Sequence, residues 1–344
     1  MALSNTSRRP LYILFLLLLL IVALISSLKA SGHSTRFLSL SSLSSHSPKS
    51  AVWTTTPTSI PSSKSATIAI LVDPGSNHFQ RLLPTLQNIE EKFNRRLGYP
   101  IQLLTDDELP DQSIRKRTEW ITGGKARWSL VTPEQGWGPP SWITQETIDS
   151  SIAQMGFNVG YRNMCRFFSM WHWKHPAVRE FEYVWRLDDT SRFHCSLHRT
   201  DGKSYRNRFS QIFEEQLFVI PSLWNTTLNF IKDSRAKEKG WIREGKEENW
   251  LDLISDDDGK TYNLNFEIVH RSFFDSEPYQ AYIKYLDKAG GFYSERWGDA
   301  PIRTIATALF LPRRAFHDFS PITGYQHEYP PFFCPDKEWC DCQP

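Results

Sequence analysis

Asp188 and Asp189 stand side by side at the end of an aromatic-rich apolar run, Phe181 to Leu187. Two carboxylates there offer hard oxygen ligands to a divalent cation, and such a cation would neutralise the oxygens of a diphosphate. An acidic pair at a strand end is also a turn or a helix cap, and in isolation that is the commoner use. Asp106, Asp107 and Glu108 follow an apolar run as well, and there the turn reading is favoured. Asp256, Asp257, Asp258 and Gly259 lack the alternating ligands and closing glutamate of a calcium loop, so they read as a solvated turn. His327 is a lone ligand candidate in an aromatic, proline-rich tail, where a satisfied surface histidine is the simpler reading. Asn225-Thr226-Thr227 is a glycosylation sequon, usable only in the secretory lumen.

These side chains need a scaffold. Ala66 to Val72 is a nearly continuous apolar run that ends in Asp73-Pro74-Gly75, the pattern of a buried strand followed by a turn. Leu82, Leu83, Leu86, Ile89, Glu90 and Phe93 have helical spacing, with Gly98 as the stop. Ile101 to Leu104 and Arg127 to Val131 read as further strands, so strand, helix and strand in parallel sense open a three-layer α/β sheet. Later helices are expected at Leu217 to Ile231, Tyr279 to Ala289 and Pro301 to Leu309. Open α/β folds bind ligands at the carboxyl ends of their strands, where Asp188 and Asp189 fall. Nucleotide sugars use this architecture, and so do many other ligands.

The 344 residues carry 40 Lys+Arg against 38 Asp+Glu, a net charge of +2 that excludes the basic balance of a nucleic-acid binder and the high charge of a disordered chain. With 40% hydrophobic and 14% aromatic residues the chain can build one large core or two small ones. Five cysteines are too few for a disulfide scaffold, and the odd number leaves at least one thiol free or paired with another chain.

Leu11 to Ile25 is wholly apolar or aromatic and the run weakens to Leu28, with Arg8 and Arg9 before it and Lys29 after. Eighteen residues rise roughly 27 Å as a helix, close to an early secretory bilayer. The arginine pair keeps the short tail cytosolic and sends everything after Lys29 to the lumen. A cleaved signal peptide is the alternative, but Leu28-Lys29-Ala30-Ser31 is a poor cleavage site. The expected organisation is a cytosolic tail over 1–10, a transmembrane signal anchor over 11–28, a Ser/Thr/Pro-rich stem over 29–65 and a single lumenal domain over 66–344.

Several strings then occur in order: Tyr161-Arg162-Asn163-Met164-Cys165-Arg166-Phe167-Phe168, Tyr183-Val184-Trp185-Arg186-Leu187-Asp188, Asn265-Phe266-Glu267-Ile268, Gly290 through Pro301, and Gly324-Tyr325-Gln326-His327. Together they resemble the fungal α-1,2-mannosyltransferases of glycosyltransferase family 15, over about Ala66 to Cys334. The resemblance implies a GT-A type three-layer fold with a mixed, largely parallel central sheet, GDP-mannose as donor, a mannoside or glycoprotein acceptor, manganese (Mn2+) as cofactor, retention of the α configuration and a type II Golgi anchor. It implies Asp188 and His327 as the manganese ligands and Glu267 as the carboxylate facing the anomeric carbon, which attacks it or stabilises an oxocarbenium-like state. By the same resemblance Tyr161, Arg166, Arg186, Glu214, Trp297 and Asp299 serve the nucleotide, its diphosphate and the sugar.

Three departures from the family pattern bear on activity. Asp73-Pro74 stands where the family has Arg-Asn, which puts an anion near the expected diphosphate and weakens donor binding. Tyr262-Asn263-Leu264 replaces a longer Cys-His-Phe-Trp-Ser string, leaving Cys165 or Cys195 without its usual partner. Asp188 stands for a glutamate, one methylene shorter. A catalytically weak relative that binds mannan or stabilises a partner enzyme is therefore the alternative to an active transferase, with a metal hydrolase a distant third.

Overall fold

Short runs of β-branched and aromatic residues alternate with amphipathic helices through the first half of the chain, and each pair folds back on the one before it. The computed structural model describes residues 66–73, 78–196, 212–213, 220–242, 261–262, 264–312, 315, 319, 323–327 and 340–342. In chain order these form β1 (Ala66–Leu71), α1 (His78–Ile89), β2 (Ile101–Thr105), α2 (Gln112–Thr122), β3 (Ala126–Leu130), α3 (Gln145–Met155), α4 (Val159–Met170), β4 (Tyr183–Asp188), β5 (Ser191–Phe193), α5 (Pro221–Lys232), β6 (Phe266–His270), α6 (Glu277–Ala289), α7 (Asp299–Phe310) and β7 (Tyr325–His327). A two-residue strand pair, Ile212–Phe213 against Thr261–Tyr262, and several single turns of helix complete them.

The central sheet has the order β3-β2-β1-β4-β6, parallel except for the antiparallel β6 at one edge. Directly paired residues share a face of a pleated sheet. On one face Ile68, Ile70, Leu103, Leu187 and Phe266 pack against Leu82, Leu86 and Ile89 of α1. On the other, Ala69, Leu104 and Val184 meet Phe167 and Phe168 of α4. Beyond α4 a third cluster joins α3, α5, α6 and α7 through Ile148, Leu223, Phe230, Leu286, Ile305 and Leu309. Each such side chain stabilises the fold by about 1.5–3 kcal/mol on burial.

Local chemistry sets the ends of the elements. Asp111 caps α2 by accepting from the amides of Ser113 and Ile114, and Asn158 caps α4 by accepting from that of Tyr161 at 2.9 Å. The apolar spacing expected through Phe93 continues beyond α1 as a π-helical segment, Glu90–Asn94, and a last helical turn, Arg95–Leu97, which ends at Gly98 with φ +73°. α5 begins at Pro221, after the non-helical Ile220, because proline starts a helix well and its fixed φ restrains the residue before it; the expected start at Leu217 lies outside the described residues. The tail, anchor and stem expected over 1–65 lie outside the described residues, as do Asp256 to Gly259.

Candidate active site

Strand register gathers the acidic and basic candidates. Alternation puts Arg186 and Asp188 of β4 on the face covered by α4, where they pair with Ala69 and Leu71 of β1. The antiparallel register of β6 then sets Glu267 directly opposite Arg186 on that face. β5 and β7 form a small antiparallel pair with Ser191 opposite His327, which carries the imidazole Nε2 to 3.4 Å from Asp188 Oδ2. The turn between β4 and β5 is fixed from below: the Asp188 amide donates to Ser191 Oγ at 3.1 Å, that hydroxyl lies 2.9 Å from Tyr325 Oη, and Tyr325 donates to the Asn265 carbonyl at 2.8 Å.

Above these residues opens a cavity of about 780 Å³. Its strand-end rim is acidic, formed by Asp73, Asp106, Asp107, Asp188 and Asp189, while Tyr161, Phe157 and Trp137 supply aromatic walls. Arg186 also lines it, but its charge is already engaged: the guanidinium pairs with Asp299 at the start of α7, lies 3.6 Å from Asp188 Oδ1 and stacks 3.6 Å from the Phe168 ring centre. A diphosphate cannot approach that rim uncompensated, since its five carboxylates would repel it.

Burial and charge move the titrating groups apart. Burial works to raise the Asp188 carboxyl, but the His327 contact and the Arg186 charge outweigh it and hold the group below the usual carboxylate range. Glu267 goes the other way: burial raises it, and the opposing charges of Arg303 and Arg186 do not cancel that. Asp106 is likewise raised, by burial first and by the charges of Asp73 and Asp107. The Tyr161 phenol is pushed up by Cys165 beside it and by burial, and burial pushes the Cys165 thiol up as well.

The structure therefore brings together Tyr161, Arg186, Asp188, Glu267, Asp299 and His327. Of these Tyr161, Arg186 and Asp188 line the cavity; Asp299 and His327 stand behind Arg186 and Asp188, and Glu267 lies one strand beyond Arg186, 1% exposed. Arg166 and Trp297, expected at the nucleotide, do not line it either. The Arg166 fork is bidentate to Asp287 at 2.7 and 3.1 Å and donates to the carbonyls of Gly136 and Gly138, so its donors are spent on packing α4 against α6. Trp297 donates its indole N–H to Glu295 and Ser222 and packs against Gly291, where a Cβ would fall 2.0 Å from the indole. Glu214 lies outside the described residues. Cys195 is not left single: it pairs with Cys340, and Cys165 is the buried free thiol. Sequence reasoning passed over Arg303, fully buried and 3.4 Å from Glu267. Its signal was an arginine in the mostly apolar helix α7, whose other charged residue is Asp299 at the first turn.

A family profile described as Glycolipid 2-alpha-mannosyltransferase matches residues 38–344. The chain belongs to that family. The match begins within the Ser/Thr/Pro-rich segment read as a stem. Glycolipid 2-alpha-mannosyltransferase 2 of Candida albicans is 36% identical over 265 residues, 72% of this chain and 55% of that protein. Glycolipid 2-alpha-mannosyltransferase 1 of the same organism is 35% identical over 289 residues, 76% of this chain and 64% of that one. The chain thus spans less than two thirds of the length of these two relatives. Among solved structures, Core-mannan synthase A from Aspergillus fumigatus in its Mn/GDP form superposes with a TM-score of 0.72 at 28% identity, covering 84% of this chain and 81% of that one. The fold of this mannosyltransferase-family chain is accordingly α/β and GT-A-like, with a mixed, mostly parallel central sheet.

The side chains present in this family member fit a manganese ion. Donors that share such an ion at right angles, at about 2.2 Å each, stand about 3 Å apart, and Asp188 Oδ2 and His327 Nε2 are 3.4 Å apart. One carboxylate and one imidazole suit a borderline-hard cation that completes its shell with phosphate oxygens. Among the described residues the one three-residue group with metal-ligand spacing is Cys195, Cys340 and Cys342, all held in disulfides.

Proposed function

We propose that this protein is a retaining α-1,2-mannosyltransferase that moves mannose from GDP-mannose to a mannoside acceptor. The observation that carries the reading is the convergence of Asp188, Arg186 and Glu267 on one sheet face, with His327 of the β5–β7 pair reaching Asp188, beneath an acidic cavity. A solved family relative described as an Mn/GDP form supports the donor and the metal.

Asp188 and His327 would hold manganese, whose charge neutralises the departing diphosphate. Asp188 is suited to that task because it stays ionised well into acid. Arg186, tied to Asp299, keeps the floor rigid and cationic between Asp188 and Glu267, so that leaving and arriving charges are held apart. Glu267 supplies the carboxylate that compensates positive charge at the anomeric carbon on the face opposite the leaving group. Tyr161 presents its ring on the cavity wall, with Cys165 beside its phenol. Asp73 on the rim makes donor binding depend strongly on the metal, in keeping with the anion that replaces the family cation. A mannan-binding relative without turnover finds no supporting feature among the described residues.

The proposed location is a Golgi membrane, with Leu11 to Leu28 as anchor and the domain from Ala66 lumenal. The Cys195–Cys340 disulfide supports an oxidising compartment, and Asn225 of the sequon is exposed on α5. Among the described residues no helix is long and apolar enough to cross a membrane; the proposed anchor lies outside them. Release of GDP from GDP-mannose with manganese and a mannoside acceptor tests the activity: acceptor-dependent release is expected, and release that no mannoside increases would contradict it.

A further inference from the structure

Arg303 is 0% exposed and sits on α7 against β6, with its guanidinium 4.2 Å from the Phe274 ring centre and 5.4 Å from that of Tyr279. One nitrogen, Nη2, donates to the Phe168 carbonyl at 2.9 Å. Nε stands 3.4 Å from Glu267 Oε1 without the alignment of a hydrogen bond, and among the described residues Nε, Nη1 and Glu267 Oε1 all lack a hydrogen-bond partner. Buried polar atoms are nearly always paired, so three orphans on one arginine–glutamate pair call for an explanation. A buried carboxylate is tolerated only beside an opposite charge. Full hydrogen bonding to that charge, as Arg166 gives Asp287, would however occupy the lone pairs that a catalytic carboxylate must present.

Resting on the reading of Glu267 above, we infer that Arg303 is a positioning residue: it balances the charge of Glu267 through space while leaving the carboxylate's lone pairs unspent on hydrogen bonds to it. The aromatic cradle of Phe274 and Tyr279 and the Phe168 carbonyl fix the guanidinium so that it cannot swing onto the carboxylate. Arg186 and Asp299 complete the charges that face Glu267, and they pair with each other. Arg303 is thereby the cation assigned to this carboxylate.

A double-mutant cycle tests this with wild type, Arg303→Met, Glu267→Gln and the double variant, read as kcat, the KM for GDP-mannose, and melting temperature. Because Arg303 acts through Glu267, Arg303→Met is expected to lower kcat by about tenfold or more, with KM within about twofold, and to lower it hardly at all when Glu267 is already Gln. The double variant is expected to melt above Arg303→Met, since neither charge is stranded. Arg303→Lys, which keeps the charge but not the planar fork, is expected to recover part of kcat. Equal losses of kcat in both backgrounds, or full kcat in a folded Arg303→Met, would overturn the inference alone. A Glu267→Gln protein with full turnover would instead sink the reading beneath it. If Arg303→Met does not fold, Arg303→Lys with and without Glu267→Gln runs the same cycle.

Discussion

Two buried arginine–carboxylate pairs, Arg166–Asp287 and Arg303–Glu267, are built differently. Between α4 and α6, Arg166 grips both oxygens of Asp287 and spends its remaining donors on two backbone carbonyls. At the sheet floor, Arg303 stands near Glu267 without a hydrogen bond to it. The first arrangement is what a pair does when holding elements together is its whole task. The second forgoes hydrogen bonds, which is expected where a ligand or a reacting carbon is to be received. Buried charge alone therefore does not mark a functional residue; incomplete satisfaction beside a cavity is the better sign.

The sharpest way to break that contrast is to disarm each side in turn. Arg166→Met strands Asp287 in the interior and should cost about 3–5 kcal/mol in denaturant unfolding, while turnover per folded molecule stays near wild type. A loss of turnover without a loss of stability would move Arg166 back to the nucleotide, where its sequence position suggested it belonged. Glu267→Gln should behave in reverse, lowering turnover by about 10²–10³ with GDP-mannose affinity nearly unchanged. The structural alternative, that Glu267 only packs beside Phe266, predicts a lower melting temperature and intact turnover.

A smaller effect is expected from pH. Burial raises Glu267, so its carboxylate is lost as pH falls through a value above the ordinary glutamate range, whereas Asp188 is held below its own range and stays ionised. On lowering the pH at saturating manganese and GDP-mannose, kcat of the wild type should therefore decline, and the residual kcat of Glu267→Gln should not follow that decline. The same acid decline in Glu267→Gln would mean that another group carries it.

Much of this organisation was readable in the sequence, and the reasons are local. β1, β2 and β4 announce themselves as apolar runs ended by Asp or Gly, and the parallel sheet follows from the helix between the first two strands. Asp188 was visible as a strand-end acid for the same reason. His327 was visible only as a lone ligand candidate and through the family resemblance, because β5 and β7 are three residues each and stand far apart in the chain; only the pairing of Ser191 with His327 joins it to Asp188. Arg166 and Trp297 sat in the right strings, yet which face of a helix or loop a side chain takes is decided by partners such as Asp287 and Glu295 that spacing does not reveal. Arg303 escaped notice because a helix of mostly apolar residues reads as core, and a cation there gains meaning only once Glu267 is known to lie against it.

The central claim is that the acidic cavity accepts a nucleoside diphosphate only with a divalent ion held by Asp188 and His327. Calorimetry of GDP with and without manganese, on wild type, Asp188→Asn and His327→Ala, tests it most directly. The account predicts that manganese strengthens GDP binding to the wild type by about 10–100-fold and that either substitution removes most of that gain, because each takes away one ligand. Metal-linked affinity unchanged in both variants would contradict it.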